Sequence, residues 1–167
     1  MPRHLVPDTE GAGRHRGAPA AYVEYGPTHG PLEVLYTGDG TVYPALGARG
    51  GLPGAPERQY KRDREGVLHE LASFGDVMLL PGESIVSICC GGGGYGSPLD
   101  REARQVAHDV DEGWISLDHA MAVYGVILTD EGLVDEKATD ARRRSLRNAL
   151  EEVTGHPSTE MGSRAGL

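Results

Sequence analysis

The feature that most constrains this sequence is a run of glycines, GGGGYG at residues 91–96. Glycine has no side chain to bury, so such a run is ordered only where other backbone segments pack closely against it. The enrichment extends beyond the run, because 19 of the 25 glycines and 10 of the 11 prolines precede residue 99. The first 98 residues therefore offer little side-chain volume for a core, and we expect them to depend on a neighbouring surface.

Short apolar runs separated by Gly and Pro indicate that residues 1–96 are a β-rich segment. Strands are predicted over residues 21–25, 32–37, 67–71, 77–80 and 84–90, each of which ends near a turn signal. Pro81-Gly82 is typical of a type II turn, with Pro at the second position and Gly at the third. The predicted strands are joined by short turns, which favours antiparallel pairing.

The periodicity changes after residue 96, and residues 97–155 are predicted to be a helical segment that packs on the β segment as one domain. Ser97-Pro98 is expected to begin a first helix, Ser116 a second and Asp135 a third. Residues 126–128 are predicted to form one further short strand, and residues 156–167 a frayed tail. On the third helix, Arg142, Arg143, Arg144 and Arg147 are expected to lie mostly off the apolar face. The predicted fold class is α+β, an antiparallel β segment followed by about three helices.

Charge and composition exclude several classes of protein. The net charge of −9 argues against a nucleic-acid-binding or membrane-surface protein, since both need a basic surface. No run approaches the ~18 apolar residues of a membrane span, and the first residues lack the apolar core of a signal peptide. A cytoplasmic location is therefore predicted. Adjacent Cys89 and Cys90 are not expected to form a structural disulfide.

The glycine run is also the first candidate site. Gly91, Gly93 and Gly96 satisfy the G-x-G-x-x-G pattern of dinucleotide-binding loops, and amides exposed there could hold an anion. However, the nearest acidic residue at the end of a second predicted strand is Asp130, beyond the expected spacing of about 20 residues, and the parallel sheet of that fold is not predicted. A turn for backbone packing is favoured over a nucleotide site. The candidate contacts with substrate or a partner are the loop residues Gly91, Gly92, Gly93, Gly94 and Tyr95.

A second candidate site lies near the N-terminus, where Arg14 and Arg16 alternate along an extended segment. Two arginines on one face of an extended chain could grip a carboxylate or a phosphate, although a solvated or partner-facing edge is favoured. The seven histidines are scattered without metal-ligand spacing, so no metal site is predicted in this chain. No catalytic constellation is recognisable, and a Cys–His pair using Cys89 or Cys90 is left as an alternative.

Three segments in order carry a family resemblance: DTEGAGRHRG at 8–17, YPALGARGGLPGAP at 43–56, and the block from 81 to 128 that contains GGGGYGSPLD. Together they resemble the C-terminal region of the hydantoinase B/oxoprolinase family. The resemblance extends over about residues 7–150. It differs from the family pattern at Cys89-Cys90 and at Ser97.

The resemblance implies a multisubunit enzyme. Proteins of this type pair with hydantoinase A-like subunits that use ATP, and the complexes hydrolyse cyclic amides or carboxylate ketones through a phosphorylated enol or imidate. The resemblance implies that the metal-binding residues lie in the N-terminal part of the hydantoinase B polypeptide, outside this sequence. No cofactor is therefore expected in this chain, whereas ATP and a divalent metal are expected on the partner subunits.

These inferences lead to three hypotheses. The first is a small subunit that completes the hydantoinase B-type fold of an ATP-dependent complex, active only with hydantoinase A-like and N-terminal hydantoinase B-like partners. The second is a non-catalytic interaction or regulatory domain derived from that fold. The third is a free-standing nucleotide-binding protein that uses the glycine loop.

Overall fold

The larger sheet gathers strands from both ends of the β-rich segment. In a computed structural model, which describes residues 3–154, five antiparallel strands follow the order β1-β2-β7-β4-β5. Their bounds are β1 (Arg3–Val6), β2 (Ala20–Tyr25), β4 (Arg58–Arg62), β5 (Leu68–Glu70) and β7 (Ser84–Ile88). The strand before the glycine run, β7, therefore lies at the centre of this sheet.

The second sheet has two strands, β3 (Leu32–Thr37) and β6 (Phe74–Leu79), paired from Leu32 opposite Leu79 to Thr37 opposite Phe74. Its inner face presents Val34 and Leu79, which pack with Ile85 of β7 in one buried cluster. The alternation of strand side chains leaves the other face of this sheet exposed.

The helices are α1 (Ala103–Asp111), α2 (Leu117–Ala122) and α3 (Glu136–Thr154), and a second buried cluster lies at α1 and α2. Val106, Ile115, Ala120, Tyr124 and Val126 form this cluster together with Ala12 of the N-terminal segment. The contribution of Ala12 ties the glycine-rich part of the chain to the helices. The α+β class is confirmed, and no helix within residues 3–154 is long and apolar enough to cross a membrane.

Two predicted helix starts are confirmed. Ser116 Oγ accepts a hydrogen bond from the amide of His119, and Asp135 Oδ1 accepts one from the amide of Ala138. The predicted start at Ser97 gives only a single 3₁₀ turn, Pro98–Asp100, and α1 begins later, at Ala103. The cause is Arg101, whose backbone is extended with ψ 137° while its guanidinium reaches Asp109 on α1.

Two further predictions differ from the structure. The strand expected at residues 126–128 is reduced to one bridge between Leu128 and Val134. The arginines of α3 do not all lie off the packed face: Arg143 donates to the backbone oxygens of Tyr124 and Arg101, and Arg147 to that of Leu99. These carbonyls belong to irregular segments that need donors, and long arginine stems can reach them from the helix. The predicted tail at 156–167 lies outside the described residues.

Candidate functional site

The glycine run is packed backbone against backbone between two other extended segments, residues 9–18 and 45–56. The amides of Gly91, Gly92 and Gly94 donate to the carbonyl oxygens of Ala55, Ala18 and Leu52, each at 2.9 Å. Tyr95 and Gly96 donate to His15 and Ala48 in the same way. The run therefore forms backbone hydrogen bonds with the segments on both of its sides. A side chain on any of its central glycines would block this arrangement.

Small size is required at these positions by direct geometry. A Cβ atom added to Gly91 would overlap the carbonyl oxygen of Thr9, and one added to Gly94 would overlap that of Ala12. Both obstacles are backbone atoms, which cannot move aside as a side chain can. The glycine run thus serves chain packing in this structure.

This packing uses the backbone amides that the loop would need to bind a phosphate. Five of the six amides in the run already donate within the chain, and no helix N-terminus adjoins the run, because a 3₁₀ turn follows it. A phosphate cradle needs free amides that converge on one point. The residues present do not fit a bound nucleotide phosphate unless this packing opens.

The two candidate arginines of the N-terminal segment do not act together. Arg16 forms a two-pronged ion pair with Asp109, with Nε to Oδ2 at 3.0 Å and Nη2 to Oδ1 at 3.1 Å. Its guanidinium also lies 4.8 Å from the centre of the Trp114 ring. Arg16 is thus committed to an internal contact, whereas Arg14 is exposed.

Asp109 is the centre of a buried charged cluster. Its side chain is only 2% exposed, and its Oδ2 also accepts from Nη2 of Arg101 at 2.9 Å. Two guanidinium groups therefore surround one carboxylate and join the N-terminal segment, the 3₁₀ turn and α1. A buried carboxylate is tolerated only with such partners.

The glycine run and the two segments packed on it, residues 9–18 and 45–56, are together called the glycine bundle. Its exposed part is a small aromatic and basic surface around Tyr95. The Arg49 guanidinium lies 6.0 Å from the centre of the Tyr95 ring, and the His15 ring lies 6.3 Å away. Arg14 adjoins them, since its amide donates to Gly96. In a chain of net charge −9, this surface gathers cations and an aromatic ring at one place.

A buried carboxylate also lies close to the glycine bundle. Oε1 of Glu10 receives hydrogen bonds at 3.0 Å from the Tyr124 hydroxyl and from Nε2 of His119. The Glu10 side chain has no exposed surface, and its second oxygen, Oε2, has no partner among the described atoms. Nδ1 of His119 lies 3.9 Å from Asp8.

This environment shifts two pKa values. The hydrogen bond to Glu10 raises the pKa of His119 above its ordinary value of 6.5; burial opposes the shift, and the charges of Glu10 and Asp8 reinforce it. Burial, together with the negative charge of Glu10, raises the pKa of the Tyr124 phenol. The two carboxylates therefore favour the protonated form of His119, and Tyr124 remains a hydrogen-bond donor.

Comparison with known proteins identifies the family. A family model described as hydantoinase B/oxoprolinase matches residues 2–98, more than half of the chain. The chain belongs to the hydantoinase B/oxoprolinase family. The expectation drawn from the three sequence segments is thus confirmed.

The relatives of this hydantoinase B-family chain are subunits of larger enzymes. It is 34% identical over 143 residues to caprolactamase subunit beta of Pseudomonas jessenii, covering 83% of this chain and 25% of that protein. It is 36% identical over 96 residues to the acetone carboxylase alpha subunit of Xanthobacter autotrophicus (strain ATCC BAA-1158 / Py2), covering 55% and 12%. The chain therefore spans a quarter or less of the length of these relatives.

A solved structure agrees with the sequence matches. The crystal structure of the ATP-dependent caprolactamase from Pseudomonas jessenii superposes with a TM-score of 0.70 at 27% identity, over 86% of this chain and 26% of that one. The match extends through most of the helical segment as well as the β segment.

The buried polar residues of this hydantoinase B-family chain were not identified from the sequence. The sequence offers one indication that Asp109 is buried: it is an acidic residue between the apolar positions 106 and 110 of a helical stripe. It offers none for Glu10 and His119, because 109 positions separate them. The two cysteines are free, and within residues 3–154 no three His, Cys, Asp or Glu side chains gather as a metal site would require.

Proposed function

We propose that this chain is a small subunit that completes the hydantoinase B-type fold of an ATP-dependent multisubunit enzyme, a cyclic-amide hydrolase or a ketone carboxylase. The observation that carries the proposal is the match of 86% of this chain to about a quarter of a caprolactamase chain. A unit that corresponds to one quarter of a larger chain supplies part of a fold and part of an active-site wall. Its partners are hydantoinase A-like and N-terminal hydantoinase B-like polypeptides, and the complex is cytoplasmic.

In this proposal the chemistry resides on the partners. ATP and a divalent metal belong to their subunits, because the glycine run uses its own amides for packing. This chain contributes shape and a contact surface. The exposed residues around the glycine bundle, Arg14, Arg49 and Tyr95, face either a partner or the anionic groups of a bound substrate.

Turnover by the assembled enzyme tests this proposal. The partners are assembled with and without this chain, and ATP-dependent turnover is measured with caprolactam, hydantoin, 5-oxoproline, acetone and acetophenone. We expect turnover of at least one substrate that is lost when the chain is omitted, while native mass shows that the other subunits still assemble. Unchanged turnover without the chain would contradict the proposal and favour the non-catalytic interaction domain.

A substitution separates the contact surface from folding. Tyr95→Ala, at a side chain that is half exposed, should lower turnover by the complex at least tenfold. The matched control Leu133→Ala removes an apolar side chain that is more exposed and lies outside the glycine run and the segments packed on it, and it should leave turnover per assembled complex unchanged. Equal effects of the two substitutions would contradict a special role for the Tyr95 surface.

A further inference from the structure

The outer face of the two-stranded sheet is apolar although it is open to solvent. Residues that oppose each other in an antiparallel pair point to the same side of the sheet. Leu35 is 81% exposed and Phe74 75% exposed, and Met78 is exposed on the same side. We call this surface, with the adjoining Val42 and Tyr43, the outer sheet face.

The outer sheet face has a shape that can receive another surface. Val42, Tyr43 and Phe74 line a groove of 240 Å³ between the 3₁₀ turn that follows β3 and the start of β6. Tyr43 is 84% exposed, and tyrosine is among the residue types that contribute most binding energy when an interface covers them. Contiguous exposed apolar surface of this kind indicates an interaction site.

The sheet that carries this face has only its two strands and one packed side to stabilise it. Within residues 3–154, β3 and β6 form a sheet with no third strand. A two-stranded sheet is marginal in water and needs a packed face. Its inner face packs on the core around Ile85, so the outer face is the one left for a partner.

The charges around the face specify the partner's chemistry. Glu33 and Asp76 stand on the face itself, and Asp39 lines the groove. Lys61, which donates to the carbonyl of Met78, is neutralised by Glu83 at 2.8 Å. The complementary surface is therefore apolar at its centre and carries lysine or arginine at its rim.

We propose that the outer sheet face docks the remaining three quarters of a hydantoinase B-type polypeptide. This inference rests on the proposed function. In caprolactamase subunit beta, the region that matches this chain is a quarter of the protein, so the rest of that chain is available to lie against a unit of this fold. On docking, Leu35 and Phe74 of the outer sheet face would leave water, and its acidic residues would pair with basic residues of the partner.

Binding to the neighbouring subunit tests the inference. The full chain is titrated by calorimetry with an N-terminal hydantoinase B-like polypeptide. Phe74→Asp should weaken binding at least 30-fold, and Phe74→Leu, which keeps an apolar contact, should weaken it less than fivefold. The matched control Leu133→Asp alters an equally exposed apolar residue outside this face, before α3, and should leave the dissociation constant unchanged. Far-ultraviolet circular dichroism checks that each variant is folded.

Each outcome of this experiment has a distinct meaning. If the wild-type chain binds and Phe74→Asp binds equally well, the docking face is wrong and the proposed function stands. If the wild-type chain does not bind that polypeptide, both fail. If native mass shows a dimer of this chain that Phe74→Asp dissociates, the face joins two copies and the proposed occupant is wrong. Asp76→Lys should weaken binding as well, and tighter binding would overturn the basic rim assigned to the partner.

Discussion

At the scale of single residues, the glycine run determines more of this fold than any bulky side chain does. Its members lie where three backbone segments meet, and carbonyl oxygens of those segments occupy the space that Cβ atoms would need. The energy lost by a substitution there comes from steric overlap and from broken backbone hydrogen bonds, not from lost burial.

Gly94→Ala should therefore lower the free energy of unfolding by about 3 kcal/mol or more. Its Cβ would overlap the carbonyl oxygen of Ala12. The control is Gly30→Ala, where φ is +67° but nothing lies within 4 Å, so the left-handed backbone alone should cost about 1 kcal/mol. Urea unfolding measures both, and equal losses would contradict the packing role of the run.

The pairing of His119 with Glu10 predicts a dependence of stability on pH. The pKa of His119 is raised in the folded state, so its contribution is complete below the unfolded value of about 6.5. That contribution is lost as the pH rises through the raised pKa. The stability difference between the wild type and His119→Gln should be larger at pH 6 than at pH 9, and His69→Gln, at an exposed pair, is the control. A difference independent of pH would contradict the pairing.

At the scale of elements, the cluster around Asp109 fixes α1 against the N-terminal segment. The carboxylate is buried between the guanidinium groups of Arg16 and Arg101, and among residues 3–154 neither group has a second carboxylate within hydrogen-bond distance. Removing one partner of a buried ion pair leaves uncompensated charge, which costs far more than the loss of an exposed pair.

Asp109→Asn should lower the free energy of unfolding by about 3–5 kcal/mol. The matched control is Asp100→Asn, which breaks the exposed pair with Arg147 and should cost less than about 1 kcal/mol. Thermal and urea unfolding measure both. If Asp109→Asn proved as mild as the control, the cluster would not hold the two segments together.

The same scale explains which elements could be predicted from the sequence. The caps at Ser116 and Asp135 are local, since each side chain bonds an amide three residues ahead. The break after the 3₁₀ turn was missed because it depends on Arg101 reaching Asp109 across eight positions. The packed face of α3 was missed in part, because Arg143 bonds backbone oxygens 19 and 42 positions away.

For the candidate site, the sequence located the glycine run and favoured a role in backbone packing, but it did not identify the segments that pack against the run. The pattern predicts that close approach occurs there, and the structure shows which segments approach. The Glu10–His119 contact was beyond prediction, since it joins positions 109 apart through a fold that must first be known. Arg14 and Arg16 were grouped by alternation, whereas Asp109, 93 positions from Arg16, separates their roles.

At the scale of the whole molecule, three features favour the proposal that partner polypeptides complete this chain. Its glycine-rich half has little side-chain volume, its outer sheet face carries exposed apolar side chains, and its relatives are more than three times its length. Each feature is accounted for if the chain is completed by partners.

Native mass spectrometry of the full chain, alone and co-expressed with hydantoinase A-like and N-terminal hydantoinase B-like polypeptides, tests this claim most directly. The account predicts a stable hetero-oligomer that contains this chain in fixed stoichiometry. A chain that remains a folded monomer in every mixture, while the other two polypeptides assemble without it, would contradict the claim.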